Sequence, residues 1–261
     1  MVVSRFSDAT LIAAKDHASE AVRRLRTKLM QHYGAVTNSF KPDNTVVTEL
    51  DGWAETEIKK SLKSFDSTIG FLGEEHGAEG DTQVRWLIDP IDGTEQFIRG
   101  IPFCGTMLCL VEGKDLLVSV IYNFVTNELY WAVKGNGAWL EDKRLHVSRR
   151  TLERSSIEIT TDIKTPEGRD LYIATRGAVK DAVRYACSSF TSCLIATGAI
   201  EGRIVTHGRG GPWDYAPGAL LIKEAGGIVV HIDGSEYDYT NTLSCIAGTS
   251  ALVEFATGFS S

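Results

Sequence analysis

Acidic residues gather at three separated places in the chain: Gly73-Glu74-Glu75, Asp89-Pro90-Ile91-Asp92-Gly93-Thr94 and Trp213-Asp214, with Asp51 as a possible fourth. Hard divalent cations such as Mg²⁺ require several oxygen ligands, and carboxylates from separate loops supply them. Packed together without a cation, those carboxylates would repel one another heavily. The middle segment is the most informative. Pro90 implies a sharp bend directly after a strand, which lets Asp89 and Asp92 aim at a common point. Gly93 allows the backbone to approach a ligand closely. Glu95, Gln96, Phe97 and Ile98 read as a short helix that begins at Gly93-Thr94, where backbone N–H groups and the helix dipole favour a phosphate. Singly, each feature has a plainer meaning. Asp-Pro is turn chemistry, Glu74 or Glu75 a solvated charge, and Asp214 an N-terminal helix cap. Asp89-x-x-Asp92-Gly93 lacks the alternating ligands and terminal glutamate of a calcium loop. The combination points to metal-assisted phosphate chemistry.

These residues must be positioned by regular elements. Leu11, Ala14, Ala18, Val22, Leu25 and Leu29 recur at spacings of three and four, which predicts a helix from about Asp8 to Tyr33. Ser7 is its N-cap and Gly34 its stop. A short extended piece, Thr45 to Thr48, precedes a second helix whose stripe is Leu50, Ala54, Ile58, Leu62 and Phe65. Thr68 to Leu72 and Val84 to Ile88 read as buried strands, each ending in acidic residues. Gly105 to Glu112, Leu116 to Tyr122 and Glu128 to Val133 follow as an antiparallel meander joined by turn-like segments. The second half alternates: helix Ser188 to Ala199, strand Arg203 to Thr206, helix Trp213 to Ala225, strand Ile228 to Ile232, with Gly226-Gly227 closing the last helix. No linker or repeat interrupts the chain, which predicts one domain over 1–261 in two packed halves, about 1–145 and 146–261.

Composition narrows the class. The 261 residues are 43% hydrophobic and 23% charged, with a net charge of −7. So acidic a chain repels nucleic-acid backbones, and an anionic substrate needs a local positive charge such as a metal ion. Cys104, Cys109, Cys187, Cys193 and Cys245 show no Cys-x-x-Cys spacing and are odd in number, which predicts reduced, buried thiols in a cytoplasmic protein. The N-terminus MVVSRFSDAT lacks the apolar stretch of a signal peptide, and no uncharged apolar run is long enough to cross a bilayer.

With these motifs in place, the chain resembles the inositol monophosphatase family of magnesium-dependent, lithium-sensitive phosphatases. The resemblance rests on Trp86-Leu87-Ile88-Asp89-Pro90-Ile91-Asp92-Gly93-Thr94, on Trp213-Asp214 through Ala219 to Glu224-Ala225-Gly226-Gly227, and on Gly73-Glu74-Glu75 upstream. It runs from the first helix to about residue 250. It implies an α+β fold, a layered αβαβα sandwich, and a homodimer. It also implies two or three Mg²⁺ ions per subunit. Glu74, Asp89 and the Ile91 carbonyl would hold one ion; Asp89, Asp92 and Asp214 would hold a second. The backbone N–H groups of Gly93 and Thr94 would bind phosphate, with Asp92 and Asp214 also facing the substrate. Thr94, paired with Asp51, and Glu74 would activate the attacking water, and Glu75 would stand behind them.

The substrate side departs from the family pattern. The glutamate the family places shortly before the second signature is missing: Arg203 to Pro212 contains no acid and is two residues longer. The Gly-Thr/Ser pair before the helix near Ser188 is here Ala186-Cys187. Two readings stand for His207 and the Gly208 to Gly211 stretch that follows it: His207 and Arg209 take over contacts with the rest of the substrate, or Arg209 is a solvated charge in a mobile loop. The expected activity is therefore a phosphomonoesterase acting on a small polyol phosphate, inositol monophosphate by default. Histidinol phosphate, a 3′-phosphoadenosine nucleotide and fructose 1,6-bisphosphate are the rivals, and a non-catalytic metal-binding regulatory protein is the reading from another class.

Overall fold

The computed structural model describes residues 5–35, 39–40, 46–241 and 244–259. Met1 to Ser4, and Thr45 of the expected extended piece, lie outside them. Helix α1 spans Asp8–His32 and is capped by Ser7, whose hydroxyl accepts the Thr10 N–H. Its stripe Leu11, Ala14, Ala18, Val22, Leu25 and Leu29 is buried throughout. The pair β1 (Ser39–Phe40) and β2 (Val46–Val47) leads into α2 (Glu49–Phe65). There Thr48 and Asp51 form a reciprocal cap, each satisfying a donor of the other's segment.

A large sheet follows, built from β3 (Gly70–Gly73), β4 (Gly77–Glu79), β5 (Val84–Asp92), β6 (Gly105–Glu112), β7 (Asp115–Asn123), β8 (Glu128–Val133), β9 (Gly137–Leu140) and β10 (Lys143–Arg144). Its order is β10-β9-β8-β7-β6-β5-β3-β4, antiparallel from β5 through β10, with β3 parallel to β5. The short α3 (Thr94–Ile98) sits between β5 and β6. A smaller sheet holds β11 (Ser156–Thr160), β12 (Asp181–Val183), β13 (Gly202–Val205), β14 (Ile228–Val230) and β15 (Cys245–Gly248), in the order β12-β11-β13-β15-β14. Helices α4 (Pro166–Ala178), α5 (Ser188–Ala196), α6 (Pro212–Glu224) and α7 (Ser250–Thr257) complete the chain.

The helices α1 and α2 cover one face of the large sheet, α5 and α6 lie between the sheets, and α4 and α7 flank the small one. This is the αβαβα sandwich. Helices on both faces explain why β6 and β7 are buried almost continuously instead of alternating. Three apolar clusters fill the four gaps between the five layers, the second reaching from the large sheet through α5 and α6 to the small sheet.

Two expectations need correction, and one helix was not expected. Strand β5 does not stop before Pro90; it runs to Asp92 through a register shift between Asp89 and Asp92. Helix α5 ends at Ala196, with Gly198 turning left-handed at φ 71°. Helix α4 escaped the periodic reading because it buries only Gly168, Leu171 and Thr175, too thin a stripe to register.

Candidate active site

The β5 irregularity matters for chemistry. Residues three apart on a regular strand point to opposite faces. Here Asp89 pairs with Met107 and Asp92 with Gly105, so β5 carries one extra residue. That bulge reverses the parity and lets both carboxylates face one point. Pro90 is tolerated there because a bulge relieves the need for a ladder donor. Asp214, the third residue of α6, joins them: ligand oxygens of Asp89, Asp92 and Asp214 lie within 4.8 Å of one another.

Each member is held differently. Asp92, 6% exposed, accepts the Ser189 N–H at 2.6 Å and the Cys187 thiol at 2.9 Å on Oδ2, and the Ser188 N–H at 3.3 Å on Oδ1. It thus sits on the first turn of α5, where the helix dipole favours negative charge. Asp214 accepts the Gly211 N–H at 2.8 Å, so it caps its own helix as well as joining the cluster. Asp89 is 1% exposed and its Oδ1 has no hydrogen-bond partner. Burial first, then Glu74, Asp92, Asp214 and Asp51, pushes Asp89 well above the usual carboxylate range. Asp214 is raised as well, by burial and then by Asp92.

Glu74 follows β3 and lines the same cavity, its N–H donating to the Ile88 carbonyl at 3.1 Å. Its carboxylate lies outside the tight three-residue group but acts on Asp89 electrostatically. Glu75 donates its N–H to Glu55 Oε2 at 2.8 Å. The Thr94 hydroxyl is 3.2 Å from Asp51 Oδ1 and 2.9 Å from the Ile91 carbonyl, and donates to either. The other Asp51 oxygen accepts the Thr48 N–H at 2.8 Å and hydroxyl at 2.7 Å. Burial, opposed by those Thr48 bonds and aided by Glu75 and Glu74, pushes Asp51 up to about 6. Gly93 has φ +80°, and a Cβ there would lie 2.6 Å from the Phe103 carbonyl oxygen. Only glycine fits this approach.

A cavity of about 320 Å³ joins Glu74, Asp89, Ile91, Asp92, Gly93, Thr94 and Asp214 to a second wall. A roomier cleft of about 800 Å³ along His146 to Arg154 holds no carboxylate cluster of this kind. The second wall includes Glu158, Arg184 and Arg203, which sequence reasoning did not single out, beside His207 and Arg209, which it did. In Ile157-Glu158-Ile159 the alternation reads as an outward-facing charge. Only the pairing of β11 with β13, which sets Glu158 opposite Arg203, reveals the buried pair. Burial opposes the Arg203 charge, but Glu158, then Cys245, Tyr215 and Asp92, more than offset this. Ala186-Cys187 has a visible consequence too. Burial, then Asp92, pushes the Cys187 thiol well above its usual range, so it stays protonated and donates.

A layered sandwich with buried carboxylates beside a helix end is the architecture of a metal-dependent phosphoric monoester hydrolase. Residues 7–257 match the inositol monophosphatase family, and the chain belongs to that family. It is 33% identical over 252 residues to inositol monophosphatase 2 of Solanum lycopersicum, covering 91% of each chain. It is 29% identical to a fructose-1,6-bisphosphatase/inositol-1-monophosphatase of Aquifex aeolicus, covering 87% of each. Among solved structures it matches the extragenic suppressor protein suhB of Bartonella henselae with a TM-score of 0.85 and 29% identity, over 95% of this chain and 98% of that one. No helix among the described residues is long and apolar enough to cross a membrane.

Proposed function

We propose that the chain hydrolyses the phosphomonoester of a small polyol- or sugar-like molecule with Mg²⁺, inositol monophosphate being the default substrate. The observation that carries this reading is the convergence of Asp89, Asp92 and Asp214 on the cavity that Gly93 and Thr94 also line. The donors are all oxygen, which suits Mg²⁺, and the unpartnered Asp89 Oδ1 is an atom a cation would satisfy. Glu74, Asp89 and the Ile91 carbonyl would hold one ion, and Asp89, Asp92 and Asp214 a second, within a total of two or three per subunit. When bound, the ions would acidify water and offset charge on the phosphoryl group and the leaving oxygen. The chain's own residues do the rest. Gly93 and Thr94 present N–H groups that orient the phosphate. Asp51, through its hydrogen bond with Thr94, accepts the proton of a water held at that hydroxyl, with Glu74 across the cavity.

Lithium sensitivity, a homodimer and a cytoplasmic setting belong to the same reading and rest on family membership and, for the last, on five buried free cysteines. Release of inorganic phosphate from inositol 1-phosphate, histidinol phosphate, a 3′-phosphoadenosine nucleotide and fructose 1,6-bisphosphate tests the activity. Turnover is expected with Mg²⁺ and is expected to vanish in EDTA. Silence across the whole panel with Mg²⁺ supplied, while Mg²⁺ still binds calorimetrically, would leave a non-catalytic metal-binding protein instead.

A further inference from the structure

The wall facing the carboxylate cluster is built around a buried ion pair. Glu158 and Arg203 are 1% and 7% exposed, and their closest charged atoms are 3.4 Å apart. Glu158 Oε1 accepts the N–H groups of Tyr185 and Ala186 at 3.0 and 3.2 Å. Its Oε2 and the Arg203 Nε have no hydrogen-bond partner. Oε2 faces Arg203 across the ion pair, whereas the Nε donor is left over at a cost, and an anionic oxygen of a ligand would satisfy it. Arg203 and Glu158 cancel in charge. Glu95, on the same cavity, is answered by Arg99 at 2.5 Å. The exposed Arg184 and Arg209 line the cavity too, with no ion-pair partner among the described residues. The wall thus keeps two surplus positive charges, in a chain whose net charge is −7.

We infer that the alcohol portion of the substrate carries a second anionic group, a phosphate or a carboxylate, which Arg209 and Arg184 bind while Arg203 donates from the floor. This deepens the phosphatase reading and rests on it, but replaces inositol monophosphate, whose polyol is neutral, as the expected substrate. Guanidinium groups pair with such anions through parallel hydrogen bonds, which a neutral polyol does not reproduce. At about 320 Å³ the cavity takes one small molecule spanning both walls. Water oxygen bonds to the phosphorus at the acidic wall, the ester P–O bond breaks, and the alcohol leaves protonated with its second anionic group intact.

The test compares matched substrates by phosphate release: fructose 1,6-bisphosphate against fructose 1-phosphate, and 3-phosphoglycerate against glycerol 3-phosphate. The expected result is a kcat/KM at least about tenfold higher for the anionic member of one pair, and which pair tells phosphate from carboxylate. In the double variant Arg184→Ala/Arg209→Ala that ratio is expected to fall toward one, with the Tm kept because both side chains are exposed. Phosphate released from every compound without preference, or a preference that survives the double substitution, would overturn this inference alone. No phosphate from any of the four, nor from inositol 1-phosphate, would overturn the phosphatase reading and this inference with it.

Discussion

At the scale of single residues, charge and proton placement decide the chemistry. Asp92 and Asp214 share a tight group with Asp89, so replacing either carboxylate by an amide keeps shape and removes charge. Asp92→Asn and Asp214→Asn are each expected to lower kcat by about 10³-fold, the scale of losing a main electrostatic stabiliser, and to weaken Mg²⁺ binding in calorimetry. Turnover like that of the unaltered protein in either variant would mean the site is misplaced. Asp51 behaves differently, because it works by accepting a proton. Its carboxyl titrates near 6 as a result of burial, so it is ionised above that pH and protonated below it. The logarithm of kcat/KM is therefore expected to drop with unit slope below about pH 6. Asp51→Asn should abolish that acidic limb and leave roughly 10²- to 10⁴-fold less activity. A limb that persists unchanged in the variant would assign it to another group.

At the scale of elements, the question is what holds each loop in its working shape. Helix α2 buries Glu55 and Lys59, 2.7 Å apart, on the face turned toward β3. Glu55 also accepts the N–H groups of Glu75 and His76, so one carboxylate fastens the turn that carries Glu74. A Cβ at Gly73 would collide with that carboxylate, which is why the turn begins with glycine. Glu55→Ala leaves Lys59 buried without its partner, a loss of about 3–5 kcal/mol. Thermal scans should then show Tm lower by roughly 10 °C. Glu55→Gln keeps the shape better; its expected signature is weaker Mg²⁺ binding with a smaller fall in Tm. A Glu55→Gln variant with unaltered Mg²⁺ affinity would reduce Glu55 to a structural role. The sequence reveals α1 and α2 well, since their stripes meet a single sheet face. It reveals Glu55 poorly, because a charge beside an apolar stripe reads as solvated until β3 is known to cover it. The β5 bulge was likewise hidden: Asp89-Pro90-Ile91-Asp92 announces a break, but the pairing with β6 alone shows that the strand continues through it.

At the scale of the whole molecule, the sandwich draws acidic groups from α2, β5 and α6 into one buried place, and this sets its response to pH. The motif spacing announced that convergence, since each acidic group closes or opens an element. The opposite wall stayed illegible because Glu158 and Arg203 meet only through the order of the small sheet. Asp51, Asp89 and Asp214 are all raised above the ordinary carboxylate range. A folded chain whose carboxylates are raised binds those protons more tightly than the unfolded chain does. Their stabilising share is complete below the unfolded value near 3.8 and is lost as pH rises, for Asp51 through about 6. Salt-bridged groups such as Asp238 and Glu79 are lowered and act in the opposite sense, so the raw stability profile mixes both. Two comparisons isolate the cluster. The rise in Tm on adding Mg²⁺ to EDTA-treated protein should grow by several degrees between pH 5 and pH 8, because the cation answers a repulsion that exists only once the carboxylates ionise. Asp89→Asn, measured in EDTA, should be more stable than the unaltered chain at pH 8 and no more stable at pH 4. If the Mg²⁺ shift were flat with pH and the substitution stabilised nothing at pH 8, the three carboxylates would not be confronting one another in the folded chain.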